Sequence, residues 1–343
     1  MGGDHLNRRG FSKACLVTAV HAFCVPLARA ADLPTDPPST GHINAVTPTL
    51  GGRQFWADEL FFHHWHVQRN VLTGHCRLLD GSNRRHAWGK FEECCAKLEQ
   101  IKEQKHLPPM QGPAVVVLHG LFRSASSMRH MSHYLEEQGG YSVFNVNYPT
   151  TRGTLADHAR QLDTVLKSLV GINEIHFVCH SLGNLVVRHY LADQSRPDVR
   201  IRRMVMLGPP NQGAQLAEVF ADNRLFNAVA GASASQLAGD RDNLQAELAT
   251  PGFPFGILAG GRGTQKGYNP WLGEDNDLVV SVESTRLEGA ADFAVLPVLH
   301  TLMMDDPQVQ QYTLRFLQHG YFVSEREAHP LSRLAPPAVV RAK

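Results

Sequence analysis

Ser181 stands at the centre of Cys179-His180-Ser181-Leu182-Gly183. A short apolar run that opens at Glu174 precedes it, and Leu182, Leu185, Val186 and Tyr190 follow at helical spacing. The run reads as a buried strand and the spacing as a helix. A serine at the corner of a sharp strand-to-helix turn is a nucleophile elbow, usually written G-x-S-x-G. The chemistry needs that shape. A strained turn projects the hydroxyl toward substrate. The residues two before and two after must be small, because strand and helix pass close together. Gly183 meets the rule, and Cys179 takes the place of the first glycine with a side chain small enough to fit. The helix N-terminus also offers free N–H groups where an oxyanion would form.

A serine of this kind needs oxyanion donors, a base and an acid. Leu118-His119-Gly120-Leu121 follows the apolar run Ala114–Leu118. A glycine there lets the backbone aim an N–H above the serine. The expected donors are therefore the N–H groups of Leu121 and Leu182; losing one such donor typically costs about 3–4 kcal/mol in the barrier. The base belongs near the C-terminus, after the last strand, where His300 lies; His319 is less well placed, and His119 and His180 belong to the other motifs. The acid lies in Gly273-Glu274-Asp275-Asn276-Asp277-Leu278. Asp277 is the expected choice and Asp275 the second candidate. The order Ser181, Asp277, His300 is a triad order known from one fold class. Such a triad needs neither metal nor organic cofactor.

Elements to carry these residues are legible from Ala114 onward. Strands are expected at Ala114–Leu118, Tyr141–Asn147, the elbow strand, Ile201–Leu207, Phe255–Ala259 and Phe293–Leu296. Helices are expected at Ser126–Gln138, Leu155–Val170, after Ser181, and at Val309–Gln318. This alternation implies a mostly parallel sheet with helices on both faces, whose active site lies at the strands' C-terminal ends. Residues 215–250 interrupt the pattern and read as a helical cap insertion. Before the alternation, residues 54–111 read as an N-terminal extension. It holds a hairpin of Val67–Val71 with His75–Leu79 and an amphipathic helix from Phe91 to Lys105. The catalytic domain is expected to span 112–320, and 321–343 to be a flexible tail.

The chain has 343 residues, net charge +1 and 43% hydrophobic residues, so it has a sizeable core and no charge bias toward nucleic acid. Arg8-Arg9, the apolar run from Ala14 to Leu27 and Ala28-Arg29-Ala30 read as a cleavable export signal over 1–30. The paired arginines resemble a twin-arginine signal. Residues 31–53 then read as a linker. Export to a periplasmic or extracellular space would leave Cys76, Cys94, Cys95 and Cys179, with a Cys76 disulfide to Cys94 or Cys95 as one pairing. Neither these cysteines nor His63, His64 and His66 have the spacing of a zinc site.

Residues 113–319 resemble a bacterial α/β-hydrolase of the lipase and esterase group. The resemblance rests on Leu118–Leu121, Cys179–Asn184, Asn276–Val280 and His300, together with the turn Gly208-Pro209-Pro210-Asn211-Gln212-Gly213-Ala214. Leu278 stands where that group often has Gly after the acid. The resemblance implies a serine hydrolase of carboxylic esters, acting on small-molecule or lipid acyl substrates and contacting lipid surfaces. An amidase, thioesterase or acyltransferase would use the same triad. A non-catalytic envelope protein that binds a lipid or partner is the reading from another class.

Overall fold

A computed structural model describes residues 47–48, 53–192, 198–212 and 246–332. The expected export signal, most of the linker, the cap apart from its last residues, and the end of the tail lie outside the described residues.

The main sheet has six strands: β6 (Gly112–Leu118), β7 (Ser142–Val146), β8 (Ile172–His180), β9 (Ile201–Leu207), β10 (Phe255–Gly260) and β11 (Asp292–Leu296). Their order across the sheet is β11-β10-β9-β8-β6-β7, and every pairing is parallel. Four helices flank it: α2 (Arg129–Gly139), α3 (Leu155–Ser168), α4 (Leu182–Ala192) and α5 (Pro307–His319), numbering the described elements. This is the α/β-hydrolase fold, as expected from the sequence.

Strand alternation divides the core in two. Val115, Val117, Val178, Val205 and Leu258 point to the face covered by Met131 and Leu135 of α2 and by Val309 and Phe316 of α5. Val116, Phe177, Met204 and Ile257 point to the other face, against Leu162 and Val165 of α3 and Leu185 and Val186 of α4. Apolar residues on both faces explain why these strands read as continuous runs rather than alternating ones. Each fully buried Leu, Ile, Val or Phe contributes roughly 1.5–3 kcal/mol, so the sheet holds its strand ends rigidly. The helices begin where the sequence supplies caps. Thr154 Oγ1 accepts from Asp157 N–H in a capping box, and Asp306 Oδ1 accepts from Gln308 and Val309 N–H. Helix α2 starts at Arg129 rather than Ser126, because Ala125–Met128 form a 3-10 turn bound by Ser127 Oγ to Ser124 O.

The segment before β6 forms its own antiparallel sheet, ordered β1-β5-β4-β3-β2: β1 (Thr47–Pro48), β2 (Trp56–Phe62), β3 (Trp65–Asn70), β4 (Cys76–Leu79) and β5 (Arg84–Gly89). The hairpin expected around Leu72-Thr73-Gly74 is the β3–β4 pair, with Arg69 opposite Cys76. Helix α1 (Phe91–Gln104) covers one face, burying Cys94, Leu98 and Ile101 against Val67, Cys76 and Leu78. Phe61 of β2 enters the main core and meets Phe144 edge-on at 5.6 Å. Asp58 and Asn147 join the two sheets: Asp58 N–H donates to Asn147 O at 3.0 Å and Asn147 N–H to Asp58 Oδ2 at 2.6 Å. Cys76, Cys94, Cys95 and Cys179 are all buried thiols, so the pairing of Cys76 with Cys94 or Cys95 is not formed.

The expected flexible tail needs correction over 321–332. Phe322 is buried against Phe316, its N–H donates to Asp292 Oδ2 at 2.7 Å, and Leu331 exchanges backbone hydrogen bonds with Gly289 and Ala290. The prolines suggested loose chain; Asp292, at the start of the edge strand, supplies the anchor.

Arg188 on α4 is 2% exposed and bonds to oxygens on both sides of residues 213–245. Its Nε donates to Ala249 O at 2.9 Å and its Nη1 to Asn211 Oδ1 at 3.1 Å.

Candidate active site

Ser181 sits between β8 and α4 with φ +52°, a left-handed conformation that non-glycine residues rarely adopt. The surroundings hold it there. Its N–H donates to Leu207 O at 3.0 Å, and its carbonyl accepts from Asn184 N–H at 3.1 Å and Asn184 Nδ2 at 2.9 Å. A Cβ on Gly183 would lie 2.8 Å from Leu118 O, which is the close strand–helix passage the spacing implied. A Cβ on Gly120 would lie 3.0 Å from the Ser181 Cβ and 2.9 Å from His180 Nδ1. The glycine after His119 is thus fixed by its approach to the serine.

His300 lies past the end of β11, and Asp277 in the loop after β10. His300 Nδ1 is 2.6 Å from Asp277 Oδ2, and His300 N–H donates to Asp277 O at 2.9 Å. A carboxylate only accepts, so Nδ1 carries the hydrogen of this contact. Asp277 is fully buried; its Oδ1 accepts from Val279 and Val280 N–H at 3.0 and 2.7 Å. Asp275 is used otherwise, accepting from Arg262 and Gly263 N–H at 2.8 and 2.9 Å. His319 closes α5 and makes its ring contact with Tyr321.

The ring of His300 is brought beside the elbow by His180. Their centroids are 4.5 Å apart, and His180 Nε2 lies 3.0 Å from His300 O. That carbonyl only accepts, so His180 carries its hydrogen on Nε2. Burial holds the His180 imidazole well below its usual range, so it is neutral. Two glycines that the sequence reasoning did not single out as site residues make room. A Cβ on Gly208 (φ +50°) would lie 3.0 Å from His300 Nδ1, and one on Gly260 would lie 2.6 Å from Asp277 Cβ. Their signal was position alone: Gly208 directly follows β9 and Gly260 ends β10.

The Leu182 N–H opens α4 and so has no acceptor within the helix. Leu121 lies in a turn after β6, and its N–H has no partner among the described residues. His119 does not reach the reacting centre. It is fully buried, stacks on Tyr148 at 4.3 Å, and bonds Gly120 O through Nδ1 at 3.0 Å. Burial pushes its pKa down to about 3, so it is neutral. Cys179 is buried and burial raises its thiol pKa, so it packs rather than reacts.

Phe122, next to Leu121, also has positive φ (+59°) and is partly exposed. An open groove of about 540 Å³ runs alongside, lined by Gln54, Phe55, Phe122, Arg123, Ser124 and their neighbours. A second cavity of about 480 Å³ lies near Asp58, Arg77 and Asn145 and includes none of the triad. Among the described residues, no group of three His, Cys, Asp or Glu is placed to hold a metal ion. His63 instead bonds Pro108 O at 2.9 Å.

Residues 82–248 match a family model described as a domain of unknown function (DUF7379). That span includes Ser181 and stops before Asp277 and His300. No curated protein matches the chain. Among solved structures, the chain is similar to a Bacillus licheniformis lipase in mature form, at 20% identity, TM-score 0.47, covering 63% of this chain and 95% of that one. It is also similar to a Legionella pneumophila phospholipase in complex with thio-NAD, at 19% identity and TM-score 0.47, covering 61% of this chain and 59% of that one. A Pyrococcus furiosus esterase matches at 15% identity and TM-score 0.45, over 81% of this chain and 98% of its own. At these identities and TM-scores, no activity carries over to this chain.

Proposed function

We propose that this protein is a serine hydrolase that cleaves carboxylic esters of acyl chains. The observation that carries the reading is the 2.6 Å contact of His300 Nδ1 with buried Asp277, on a ring packed against His180, the neighbour of a serine at φ +52°. In this mechanism Ser181 Oγ attacks the ester carbonyl carbon while His300 Nε2 takes its proton. Asp277 keeps the imidazole in the right tautomer and stabilises its cation. The N–H groups of Leu121 and Leu182 receive the developing oxyanion. Collapse breaks the bond to the alcohol, which leaves with the proton from His300. Water then gives a proton to His300 and attacks the acyl-enzyme; the second collapse releases the acid and returns Ser181.

An apolar acyl chain suits the rim. Phe122 beside Leu121, Leu278 beside Asp277 and Leu302 two residues past His300 are 41%, 46% and 51% exposed. The N-terminal pattern further supports export through a cleaved twin-arginine-like signal, which N-terminal sequencing of the protein recovered from outside the cytoplasm would test.

The central experiment is intact-mass analysis after a fluorophosphonate probe, with peptide mapping. One adduct on Ser181 is expected, together with hydrolysis of aryl esters that favours chains longer than acetyl. Ser181→Ala should lose adduct and turnover with its fold intact. Turnover retained in Ser181→Ala would reject the site, and turnover of acetyl esters alone would reject the acyl-chain preference.

A further inference from the structure

Besides the donors, the turn that holds Leu121 has its own support, and that support comes from the N-terminal extension. Gln54 lies in the short 3-10 turn Arg53–Phe55 just before β2. Its Nε2 donates to Arg123 O at 2.6 Å. Its Oε1 accepts from Thr150 Oγ1 at 3.1 Å and, more weakly, from Thr151 Oγ1 at 3.4 Å. Thr150 Oγ1 in turn accepts from Phe122 N–H at 3.1 Å. The bonds close a ring: Phe122 to Thr150, Thr150 to Gln54, Gln54 to Arg123. Thr150 is fully buried, so the ring is anchored on the loop that follows β7. Phe55, the neighbour of Gln54, is pinned by the Arg152 guanidinium 4.9 Å from its ring centre.

The ring surrounds a strained residue. Phe122 holds φ +59°, a conformation that costs a non-glycine residue free energy and persists only where neighbours enforce it. Its peptide with Leu121 continues directly into the peptide whose N–H the proposed mechanism assigns to the oxyanion. Arg123 N–H donates to Gly120 O within the turn at 3.2 Å, while Phe122 N–H is held by Thr150 and Arg123 O by Gln54.

We infer that Gln54 is a positioning residue: through Thr150 and Arg123 it holds the 121–123 turn so that Leu121 N–H points at the oxyanion. This rests on the serine-hydrolase reading above, and it gives the N-terminal extension a part in the reaction. A donor that sits loosely stabilises the transition state less while leaving substrate binding nearly unchanged, so the effect falls on kcat.

Two measurements on the full chain test this. Gln54→Met keeps the bulk and removes all three side-chain hydrogen bonds. It should lower kcat on an aryl ester about tenfold, with KM within about twofold. Hydrogen exchange followed by mass spectrometry should show faster exchange in the peptide spanning 119–125, with β8 and β9 unchanged. Thr150→Val should do the same, and Thr150→Ser, which keeps the hydroxyl, should recover most of the loss. Wild-type kcat and exchange in both Gln54→Met and Thr150→Val would overturn the inference, as would a loss confined to KM. If the wild-type chain turns over no ester yet Gln54→Met still loosens 119–125, the clamp stands and the hydrolase reading fails.

Discussion

Leu278 carries the largest strain of the residues around the candidate triad. Its φ of +93° belongs to glycine, and it directly follows Asp277. The loop needs that angle, because Asp277 Oδ1 must accept from Val279 and Val280 N–H while Oδ2 faces His300. Such an angle costs a residue with a Cβ roughly 1–3 kcal/mol. Leu278 is 46% exposed, so its side chain recovers little through burial. Leu278→Gly should therefore stabilise the fold by about 1 kcal/mol, after the extra freedom glycine gains in the unfolded chain is subtracted. Thermal unfolding checks this, and a lowered Tm would show that Leu278 packs more firmly than its exposure indicates. Asp275 and Asp277 show what residue-level reading cannot resolve. Both lie in one acidic loop, two positions apart. Only the folded loop turns one toward His300 and the other toward Arg262 and Gly263.

Among the elements, those of the main sheet were legible in the sequence because its inner strands bury apolar residues on both faces, and β9 matches its expected span residue for residue. The elbow was legible because its steric rule acts at two positions, and the strictest of them can be tested. A Cβ at position 183 would press on Leu118 O at 2.8 Å and Leu118 Cβ at 2.9 Å, with backbone rather than a flexible tip in the way. Gly183→Ala should lower stability by about 1–3 kcal/mol, the usual effect of overpacking, visible as a lower urea midpoint; an unchanged midpoint would mean that β6 and α4 separate easily. Strands β2 and β5 were not legible. Trp56–Phe62 mixes aromatic and acidic residues because one face enters the core through Phe61 while Asp58 Oδ2 accepts from Asn147 N–H. Arg84–Gly89 is mostly polar, with Ala87 as its buried residue. The ring through Gln54 was invisible for a related reason. Gln54 is 69 residues from Arg123 and 96 from Thr150, and Phe122 is 28 from Thr150, so no local spacing records it.

For the molecule as a whole, buried neutral histidines set the response to acid. Burial pushes His119 down to about 3 and His158 down to about 4. In the unfolded chain each takes a proton near pH 6.5. Between those limits the unfolded state binds more protons, so stability is full above about pH 6.5 and falls as pH drops. At pH 5 each contributes a loss of roughly 2 kcal/mol. Urea midpoints should decline from pH 7.5 to pH 5, with proton uptake on unfolding, and a flat profile would show that these rings are hydrated. The grip of Arg188 on Asn211 and Ala249 bears on how such a molecule can change over evolutionary time. Both attachment points of residues 213–245 meet one side chain on the helix behind the nucleophile. Position 188 therefore cannot change alone: a replacement there must find new partners for Asn211 Oδ1 and Ala249 O together.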